Sequence, residues 1–577
     1  MWIALVLLAA QQPPLTTVAE QSGFVSTGRY EEVERLCADF PKRYAGKVKC
    51  ESFGVTPLGR KMLYLVASAD GTFTPEQAKK KARPVVLFQG GIHAGEIDGK
   101  DAGFWLLREL LDGKAGAGAL FKVTLVFVPV FNVDGHERVA PNNRPNQVGP
   151  KEMGWRVTSQ NLNLNRDYAK AEAPEMQAML GLLGRYDPIL YADLHVTDGA
   201  KFQPDVAVLI EPRKSGNEAL KGLGHALQTK VFEELKAKGH QPLDFYPSFS
   251  KEDDPSSGFA YGVPPPRLSN GYWNLRNRFV ALVETHSWKT YAERVKATYD
   301  VCLALLQRAA EDGATWAEAT KAADQSDEQA AGKDVPLLWD NNDHKVTIDF
   351  PGYAYVREDS AVSGAKWIRY DDTKPQVWKV PLYDELVPTV SMKAPKGGYV
   401  VPPPYAAPVG EKLKLHGFKF SVLDKTTPTA TVESFRVVEA RFKAQPYEGR
   451  QTVQVKGEWK ADQREVPKGS LYVPAGQRGV SLLMNLLEPI GPDSLMSWGW
   501  FNAHLEQKEY MEAYVAEAVA REMLKDPQVK AAFDARLKAD PAFAKSPDER
   551  LKFFYQRHPS WDEKLNLYPV FRIDNSP

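Results

Sequence analysis

The sequence predicts an α/β domain with a mostly parallel or mixed sheet, followed by a β-rich domain and a helical C-terminal segment. Two observations predict the first domain: short apolar runs alternate with amphipathic stretches, and polar residues cluster where the apolar runs end. Apolar strands that alternate with helices are typical of a sheet covered on both faces. Functional sites in such domains lie at the carboxyl ends of the strands.

The elements of this domain follow one another in a regular order between residues 25 and 320. Continuous apolar runs that end in turns predict buried strands, over 83–91, 122–130, 189–195 and 279–284. Apolar residues at helical spacing predict helices, over 101–111, 175–186, 217–238 and 291–310. This alternation assigns residues 25–320 to a single domain.

The pattern changes after this domain. Residues 315–335 are rich in Ala, Glu, Lys, Asp and Gln and predict a linker. Alternating polar and apolar residues then predict an antiparallel β-rich domain over 335–480, with strands near 345–350, 376–380, 434–442 and 451–459. Residues 481–577 are predicted to be a helical C-terminal region, most clearly over 506–524.

The charge balance argues against a nucleic-acid partner. The 577 residues contain 73 Lys and Arg against 73 Asp and Glu, so the formal net charge is zero. Such a chain has no global field of one sign that would attract phosphate backbones. At about 100–200 residues per domain, the length also predicts more than one domain.

The N-terminus bears on where the protein acts. Residues 1–10 form an apolar run that is too short to cross a bilayer as a helix. The run is typical of the hydrophobic core of a signal peptide, although it lacks basic residues before it. Residues 1–20 are therefore a candidate signal peptide, which predicts a secreted or periplasmic protein and not an integral membrane protein. The alternative is a cytoplasmic protein whose apolar run is not a signal.

Three cysteines, Cys37, Cys50 and Cys302, are too few for a tetrathiolate zinc site. An exported chain could join Cys37 to Cys50 and leave Cys302 free. Three unpaired, partly buried thiols are the alternative.

Three residues at predicted strand ends form a candidate metal site. His93 and Glu96 lie three positions apart in the turn after one strand, and His195 ends another. Two imidazoles and one carboxylate suit a catalytic zinc with an open position for water. Zinc lowers the pKa of that water to about 7, which makes it a nucleophile at neutral pH. The sequence therefore predicts one Zn²⁺ at these residues.

Further polar residues complete a candidate catalytic set. Glu284 ends a third predicted strand, and a carboxylate there that is not a ligand would serve as general base for the water. Arg156 and Arg166 lie in one polar segment, 154–167. Their planar guanidinium groups suit a carboxylate, or a carbonyl that is becoming an oxyanion.

Taken in order, these motifs resemble those of the zinc carboxypeptidases of the M14 peptidase family. The resemblance covers residues 30–310, roughly half of the chain. Its matching pieces are Gly90–Glu96, Phe131–Gly135, Trp155–Arg156, Asn163–Arg166, Asp193–His195 and the strand that ends at Glu284. The resemblance implies a carboxypeptidase A-like fold and hydrolysis of the peptide bond that releases a C-terminal residue.

The resemblance also implies a role for each site residue. The zinc ligands would be His93, Glu96 and His195, with Glu284 as general base. Arg156 matches the arginine that polarises the scissile carbonyl and stabilises the oxyanion. Asn165 and Arg166 match the pair that grips the terminal carboxylate of the substrate, so peptide or protein C-termini are the expected substrates.

The resemblance also implies a tyrosine that closes over substrate, for which the sequence offers two candidates. Tyr261 and Tyr272 precede Glu284 by 23 and 12 residues, and Tyr261 has the spacing that resembles the family best. With Tyr261 in that role, Arg267 falls near the floor of the specificity pocket. This alignment predicts a preference for acidic C-terminal side chains, against the alternative of an arginine in a Pro-rich surface loop.

Two positions depart from the family pattern. Gly95 stands where the family often has an arginine before the metal-binding Glu, so a substrate contact is expected to be missing. Asn163 stands where the family has an Asp that orients a ligand imidazole. Because a neutral partner raises imidazole basicity less than a carboxylate does, weaker zinc affinity is expected.

Two other functions remain open from the sequence. The same scaffold could serve a zinc amidohydrolase or deacylase that acts on small N-acyl amino acids or cell-wall peptides. A catalytically silent peptide-binding protein is the third reading, against which the retention of Glu284 and Arg156 argues. The oligomeric state and the purpose of residues 335–577 are left open.

Overall fold

The structure is a computed structural model that describes residues 15–575. Most of the predicted signal segment, residues 1–14, lies outside the described residues. Nine strands lie between residues 48 and 286: β1 (Val48–Val55), β2 (Lys61–Ala67), β3 (Val85–Gly90), β4 (Thr124–Val128), β5 (Leu190–Thr197), β6 (Val206–Glu211), β7 (Pro242–Leu243), β8 (Phe259–Ala260) and β9 (Phe279–His286). All four predicted strands are present, as β3, β4, β5 and β9.

Eight of these strands form one mixed sheet in the order β1-β2-β4-β3-β5-β9-β6-β7. The central strands β4, β3, β5 and β9 are parallel, whereas β1 and β2 run antiparallel to their neighbours and β6 runs antiparallel to β9 and parallel to β7. The prediction of a mixed α/β sheet is confirmed. Because the central strands are parallel, their carboxyl ends meet at one edge of the sheet, where a site can form.

Nine helices accompany the sheet: α1 (Val18–Gln21), α2 (Tyr30–Arg43), α3 (Pro75–Lys80), α4 (Asp98–Asp112), α5 (Val133–Glu137), α6 (Pro174–Tyr186), α7 (Glu218–Ala237), α8 (Ser269–Asn274) and α9 (Tyr291–Glu328). Helices α4 and α7 both pack against α9, and these three helices also contact strands of the sheet. The strands beneath them are buried along their whole length, as the continuous apolar runs predict.

The predicted linker over 315–335 is wrong, because α9 continues without a break to Glu328. The helix begins with a capping box between Thr290 and Glu293. Trp316 is buried and stacks near Phe279, with 4.9 Å between the ring centroids. The other buried residues in this part of the helix are mostly small or polar, so its apolar face is inconspicuous in the sequence.

The remaining described residues, 329–575, contain ten strands and six helices. The strands are β10 (Asp334–Asn341), β11 (Lys345–Asp359), β12 (Lys366–Tyr383), β13 (Leu386–Lys393), β14 (Gly398–Val401), β15 (Ser421–Val422), β16 (Thr427–Phe442), β17 (Val453–Val466), β18 (Leu471–Pro474) and β19 (Phe571–Ile573). The helices are α10 (Pro403–Leu415), α11 (Val480–Leu487), α12 (Ala513–Met523), α13 (Pro527–Ala539), α14 (Pro541–Lys545) and α15 (Pro547–Tyr555).

The β-rich region divides into separate sheets. Strands β11 and β12 form a long antiparallel hairpin, and β12 also pairs with β8 of the α/β domain. A six-stranded sheet has the order β15-β18-β14-β19-β16-β17. The hairpin is thereby joined to the α/β domain by backbone hydrogen bonds.

The C-terminal region is not separate from the β-rich region, contrary to the predicted boundary at 481. Its last strand, β19, lies between β14 and β16 and completes the six-stranded sheet. Three residues are too few to show a period-two pattern, so the sequence could not reveal this strand. The helical prediction over 506–524 holds only from Ala513 onward.

The N-terminal part of the described chain packs onto the α/β domain. Leu15 is buried, and Glu20 forms an ion pair with Arg108 of α4. Cys37 and Cys50 form a disulfide, and Cys302 is a buried free thiol. Across residues 15–575, none of the helices combines the length and the apolar character needed to span a membrane.

Candidate active site

The loop between β3 and α4 carries the first two candidate ligands. Gly91 has a φ of +63°, which a glycine adopts without strain, and it turns the chain directly after β3. His93 and Glu96 follow in this loop, and both side chains are buried. The backbone N–H of Glu96 donates to the carbonyl of His93, so a tight turn sets the two side chains side by side.

The adjacent strands β5 and β9 carry the other two catalytic candidates. His195 and Glu284 are register partners across this parallel pair. Both side chains are buried. Partners in neighbouring parallel strands present their side chains on the same face of a sheet. The fold thus places the candidate base next to the second candidate imidazole, as the sequence predicts for residues that end neighbouring strands.

The candidate ligand atoms converge. One ligand atom each of His93, Glu96 and His195 lies within 4.8 Å of the other two. The Nδ1 atom of His93 is 3.1 Å from Oε1 of Glu96, and the Nδ1 atom of His195 is 3.0 Å from Oε2. Two nitrogen donors around one carboxylate match the donor set of a catalytic zinc site. The residues present therefore fit this metal.

Hydrogen bonds on the outer side of each imidazole fix its orientation. Nε2 of His93 donates to Oδ1 of Asn163 at 3.1 Å, and Nε2 of His195 lies 2.8 Å from Oδ2 of Asp193. Gln89 in turn donates to Asp193. Such partners leave the Nδ1 atoms facing the metal position. The sequence did not indicate that Asp193 orients His195, although Asp193 lies two residues before His195 on the same face of β5.

Burial lowers the pKa of His93 to about 4, so its imidazole is neutral near pH 7 and can donate a lone pair. The pKa of His195 is instead raised well above its ordinary value, although burial opposes this change, because Asp193 and Glu284 lie close to it. The two imidazoles thus have different electrostatic surroundings.

Burial also changes the candidate general base. It raises the pKa of Glu284 to about 8, and the nearby carboxylates of Glu96 and Asp193 act in the same direction. The positive charges of His195 and Arg156 oppose this rise. A carboxyl group with a pKa near neutral pH is suited to accept a proton and to return it.

The predicted arginines lie around the same cavity. The Nη1 atom of Arg156 is 3.1 Å from Oε1 of Glu96, and its side chain is partly exposed to the cavity. Arg166 and Asn165 also line the cavity. Oδ1 of Asn165 accepts a hydrogen bond from the backbone N–H of Ser269, which fixes the amide in place.

A further arginine was missed by the sequence analysis. The Nη2 atom of Arg144 is 3.0 Å from Oε1 of Glu96 and 3.3 Å from Oδ1 of Asp198. A Cβ atom at Gly95 would lie 2.6 Å from Cγ of Arg144. The side chain of Arg144 therefore occupies the space beside Gly95, where it pairs with Glu96 and does not line the cavity. The only indication in the sequence was the glycine at position 95, where the family often has an arginine.

Arg267 is not among the residues that line the active-site cavity. Its guanidinium forms an ion pair with the buried Asp493 at 2.9 Å, and its backbone N–H donates to the same carboxylate. The predicted place of Arg267 at the pocket floor is therefore wrong. The chain turns at Pro264–Pro266 so that Arg267 faces the C-terminal region.

Tyr261 does line the cavity, but its hydroxyl donates to Asp244 at 2.9 Å. Tyr246 also lines the cavity. The charge of Glu284 and burial together raise the pKa of its phenol, which also interacts with Thr197. Tyr272, the alternative, is buried and bonded to His416. Tyr246 is thus a cavity phenol that interacts with the candidate base, and its loop position gave no sign of this in the sequence.

The active-site cavity has a volume of about 540 Å³ and runs along the face of β6 and β9. Glu284 and Leu282 of β9, together with Leu209 and Glu211 of β6, line it. Lys214 adds a partly buried ammonium beyond Glu211. The cavity thus extends away from the candidate metal ligands toward a charged inner end.

A His–Glu–His set of candidate ligands beside a buried carboxylate in an α/β domain is typical of a metallohydrolase. Residues 33–204 match the family model of the zinc carboxypeptidases, peptidase family M14. The resemblance seen in the sequence is thereby confirmed over this part of the chain, and the match supports a peptide hydrolase of the metallocarboxypeptidase type.

The relatives and solved structures to which this chain is similar are named carboxypeptidases. Carboxypeptidase 2 of Trichophyton rubrum is 21% identical over 460 residues, which cover 76% of this chain and 78% of the relative. Carboxypeptidase 2 of Trichophyton equinum is 22% identical over 461 residues, with the same coverage. A metallo-carboxypeptidase from Burkholderia cenocepacia matches with a TM-score of 0.34, at 19% identity over 47% of this chain and 68% of the other. Carboxypeptidase A from Helicoverpa armigera matches with a TM-score of 0.35, at 14% identity over 51% of this chain and 74% of the other.

Proposed function

We propose that the protein is a zinc-dependent carboxypeptidase that removes residues from the C-termini of peptides. One observation carries the proposal: His93, Glu96 and His195 converge within 4.8 Å beside Glu284 in a cavity that Arg166 also lines. The three ligand candidates supply a metal site, Glu284 supplies a base, and Arg166 supplies a partner for a free carboxylate.

The metal would be one Zn²⁺ held by His93, Glu96 and His195. When bound, it would supply a Lewis acid that polarises the scissile carbonyl and acidifies water. The side chains of Asn163 and Asp193 keep both imidazoles in the orientation that this binding needs.

Glu284 would act as the general base. Its carboxylate takes a proton from the attacking water and then returns the proton to the amine that leaves. Arg156 points into the same cavity and would donate hydrogen bonds to the carbonyl oxygen as negative charge develops on it. These donors act where charge appears in the transition state, so they lower the barrier rather than only binding substrate.

Arg166 and Asn165 would select chain ends. A guanidinium binds a carboxylate through two parallel hydrogen bonds, which an internal peptide bond cannot offer. An endopeptidase has no use for this contact. The arginine therefore supports release of the terminal residue rather than cleavage within a chain.

The experiment that tests the proposal is digestion of a mixed peptide library by zinc-loaded protein, read by mass spectrometry. The expected products are peptides shortened from their C-termini, and they should be absent with chelated protein and with Glu284→Gln. Cleavage within chains would contradict the proposal. Zinc binding without peptide cleavage would favour the amidohydrolase or the silent binding protein.

We also infer that the protein acts outside the reducing cytoplasm, in the periplasm or as a secreted protein. The Cys37–Cys50 disulfide supports this inference, because disulfides persist mainly in oxidising compartments. Thiol labelling of protein taken directly from its native cells tests it. One reactive thiol after denaturation is expected, whereas three would contradict the inference.

A further inference from the structure

We propose that a groove beside the active-site cavity binds the part of a peptide substrate on the amino-terminal side of the scissile bond. We name it the aromatic groove and define it by Phe249, Trp288, Trp367 and Tyr370; the charged residues Lys201, Glu252, Asp253 and Arg369 line it as well. The inference rests on the proposed carboxypeptidase function and adds a second binding region to it.

The groove lies between two parts of the chain. One wall is the β11–β12 hairpin, through residues 367–370 of β12. The other wall belongs to the α/β domain, through residues 199–201 after β5, 247–249 and Trp288 after β9. The groove has a volume of about 800 Å³, which is large enough for several amino-acid side chains.

The aromatic groove continues directly from the active-site cavity. Ser248 and Phe249 line both spaces. Asp198 lines the active-site cavity, and the groove begins at Gly199, four residues after the metal-ligand candidate His195. Trp288 follows Glu284 by four residues at the end of β9. A ligand at the catalytic residues can therefore reach the groove without leaving the protein surface.

The residues that line the cavity and those that line the groove indicate in which direction a bound peptide would run. Arg166, which would hold the terminal carboxylate, lines the active-site cavity and takes no part in the groove. The metal-ligand candidates lie in the same cavity as Arg166, and the groove opens past Asp198. With the C-terminal residue at Arg166 and the scissile bond at the metal ligands, the preceding residues extend toward the groove.

Two indole rings of the groove are partly exposed to solvent, and Nζ of Lys201 lies 4.7 Å from the centre of the Trp288 ring. The exposed fraction is 40% for Trp288 and 43% for Trp367, large values for indole rings. The indole N–H of Trp288 donates to the carbonyl of Gly199 at 3.0 Å, which fixes the ring. Exposed, oriented aromatic rings bind apolar and aromatic side chains with little loss of conformational entropy.

The hairpin wall is held firmly in place. Trp378 packs against Tyr370 and Phe350, with ring centroids 6.3 Å and 5.7 Å apart. Phe350 in turn packs against Phe259 of β8, with centroids 4.5 Å apart. The hairpin is thus anchored to the α/β domain by an aromatic cluster as well as by the β8–β12 pairing. Because the hairpin is already ordered, a peptide can bind to it without the entropic cost of ordering this wall.

The test compares two peptides with the same two C-terminal residues. One is an acylated dipeptide, and the other is a hexapeptide with aromatic residues at the upstream positions. We expect kcat/KM of the wild-type protein to be about tenfold higher for the hexapeptide. Trp367→Ala should remove most of this gain and leave the dipeptide unchanged, whereas Trp367→Phe should retain much of it.

The matched control is Val377→Ala, which changes a 60%-exposed residue of the same strand that does not line the groove. Equal kcat/KM for both peptides, or the same loss in Val377→Ala as in Trp367→Ala, would overturn the inference. Absence of hydrolysis with either peptide would instead contradict the proposed function.

The groove can be tested without turnover. Calorimetric titration of the hexapeptide into Glu284→Gln should show binding that the added Trp367→Ala substitution weakens about threefold to tenfold. Equal binding by the single and double variants would overturn the inference, whatever the outcome of the hydrolysis assay.

Discussion

Glu448 accepts a hydrogen bond from the backbone N–H of Asn163 at 2.9 Å, although the two residues are 285 positions apart. Glu448 lies in the turn between β16 and β17 and has a φ of +48°, a conformation that costs a non-glycine residue free energy. Arg450 in the same turn forms an ion pair with Glu172. Because Asn163 orients His93, the C-terminal β-rich region supports the candidate metal site from outside the α/β domain.

The first prediction concerns this support. Glu448→Ala removes the acceptor that holds the Asn163 backbone, so the orientation of His93 becomes less restricted. We expect zinc affinity to fall by up to about tenfold, since partners outside the ligand set tune affinity on this scale. Competitive zinc titration measures the change, with the exposed Glu458→Ala on β17 as matched control. Equal affinities for the two variants would show that the turn does not act on the metal site.

The second prediction concerns Asn163 itself. In Asn163→Asp, a carboxylate would accept from Nε2 of His93 and make the imidazole a stronger donor. Zinc affinity should rise by about tenfold. The same titration measures this change, and an unchanged affinity would show that the neutral amide of Asn163 does not lower zinc affinity.

The third prediction is a pH dependence. Glu284 must be deprotonated to accept a proton, and burial raises its pKa to about 8, while the positive charge of a bound metal lowers it. We therefore expect kcat/KM to fall with decreasing pH through an ionisation between the ordinary value of 4.5 and 8. Bound zinc is measured at each pH, because protonation of the ligands also releases metal. A flat profile from pH 5 to 8 at constant zinc content would argue against Glu284 as the base.

The fourth prediction concerns selection of chain ends. Arg166→Ala removes the group proposed to pair with the terminal carboxylate. We expect kcat/KM to fall about tenfold to hundredfold for free-acid peptides, on the scale of a charged hydrogen bond. Cleavage of the matching C-terminal amides should change little. Equal losses on acids and amides, measured by product mass, would refute the anchoring role.

The fifth prediction concerns the inner end of the active-site cavity. The carboxylate of Glu211 there accepts three backbone N–H groups, and that of Asp244 pairs with Arg213. Across residues 15–575, no carboxylate forms a salt bridge with Lys214, whose ammonium lies over the Tyr261 ring. The formal charges of Glu211 and Asp244 balance those of Arg213 and Lys214, and Lys214 is the cation of this end that stays available to a substrate carboxylate.

Burial lowers the pKa of Lys214 to about 8, so its ammonium is still mostly protonated at pH 7. We expect peptides that end in Glu to be cleaved about tenfold faster than those that end in the isosteric Gln. Lys214→Met should abolish the difference, and the exposed Lys236→Met on α7 should keep it. Equal rates for both peptides in the wild-type protein would exclude Lys214 as a specificity residue.

The sequence predicted those parts of the site that sit in local motifs. His93, Glu96, His195 and Glu284 each follow a strongly apolar strand, and parallel strands bring their carboxyl ends together. The sequence did not assign Arg144 and Tyr246, which reach the site from loops, or Asp193, which contacts the side of the His195 ring that faces away from the metal position. Arg144 contacts Glu96 across 48 residues, and no period or spacing encodes such a contact.

In the fold, too, the elements with a local sequence pattern were predicted, whereas those that depend on distant contacts were not. The central strands were predicted because burial on both faces leaves a continuous apolar run. Helix α9 was predicted too short because its second half buries mostly small and polar residues, so composition suggested a linker. Strand β19 pairs with neighbours that lie more than 100 residues earlier in the chain, and its three residues carry no pattern of their own.

The most direct test of the account is a zinc titration of chelated protein while release of the C-terminal residue from one peptide is followed. If the protein is a single-zinc carboxypeptidase, activity rises with added zinc and saturates at one equivalent per chain. Glu284→Gln should bind the same one equivalent and release no residue. Full activity in the chelated protein, or activity of Glu284→Gln equal to that of the wild type, would contradict a single-zinc carboxypeptidase with Glu284 as its base.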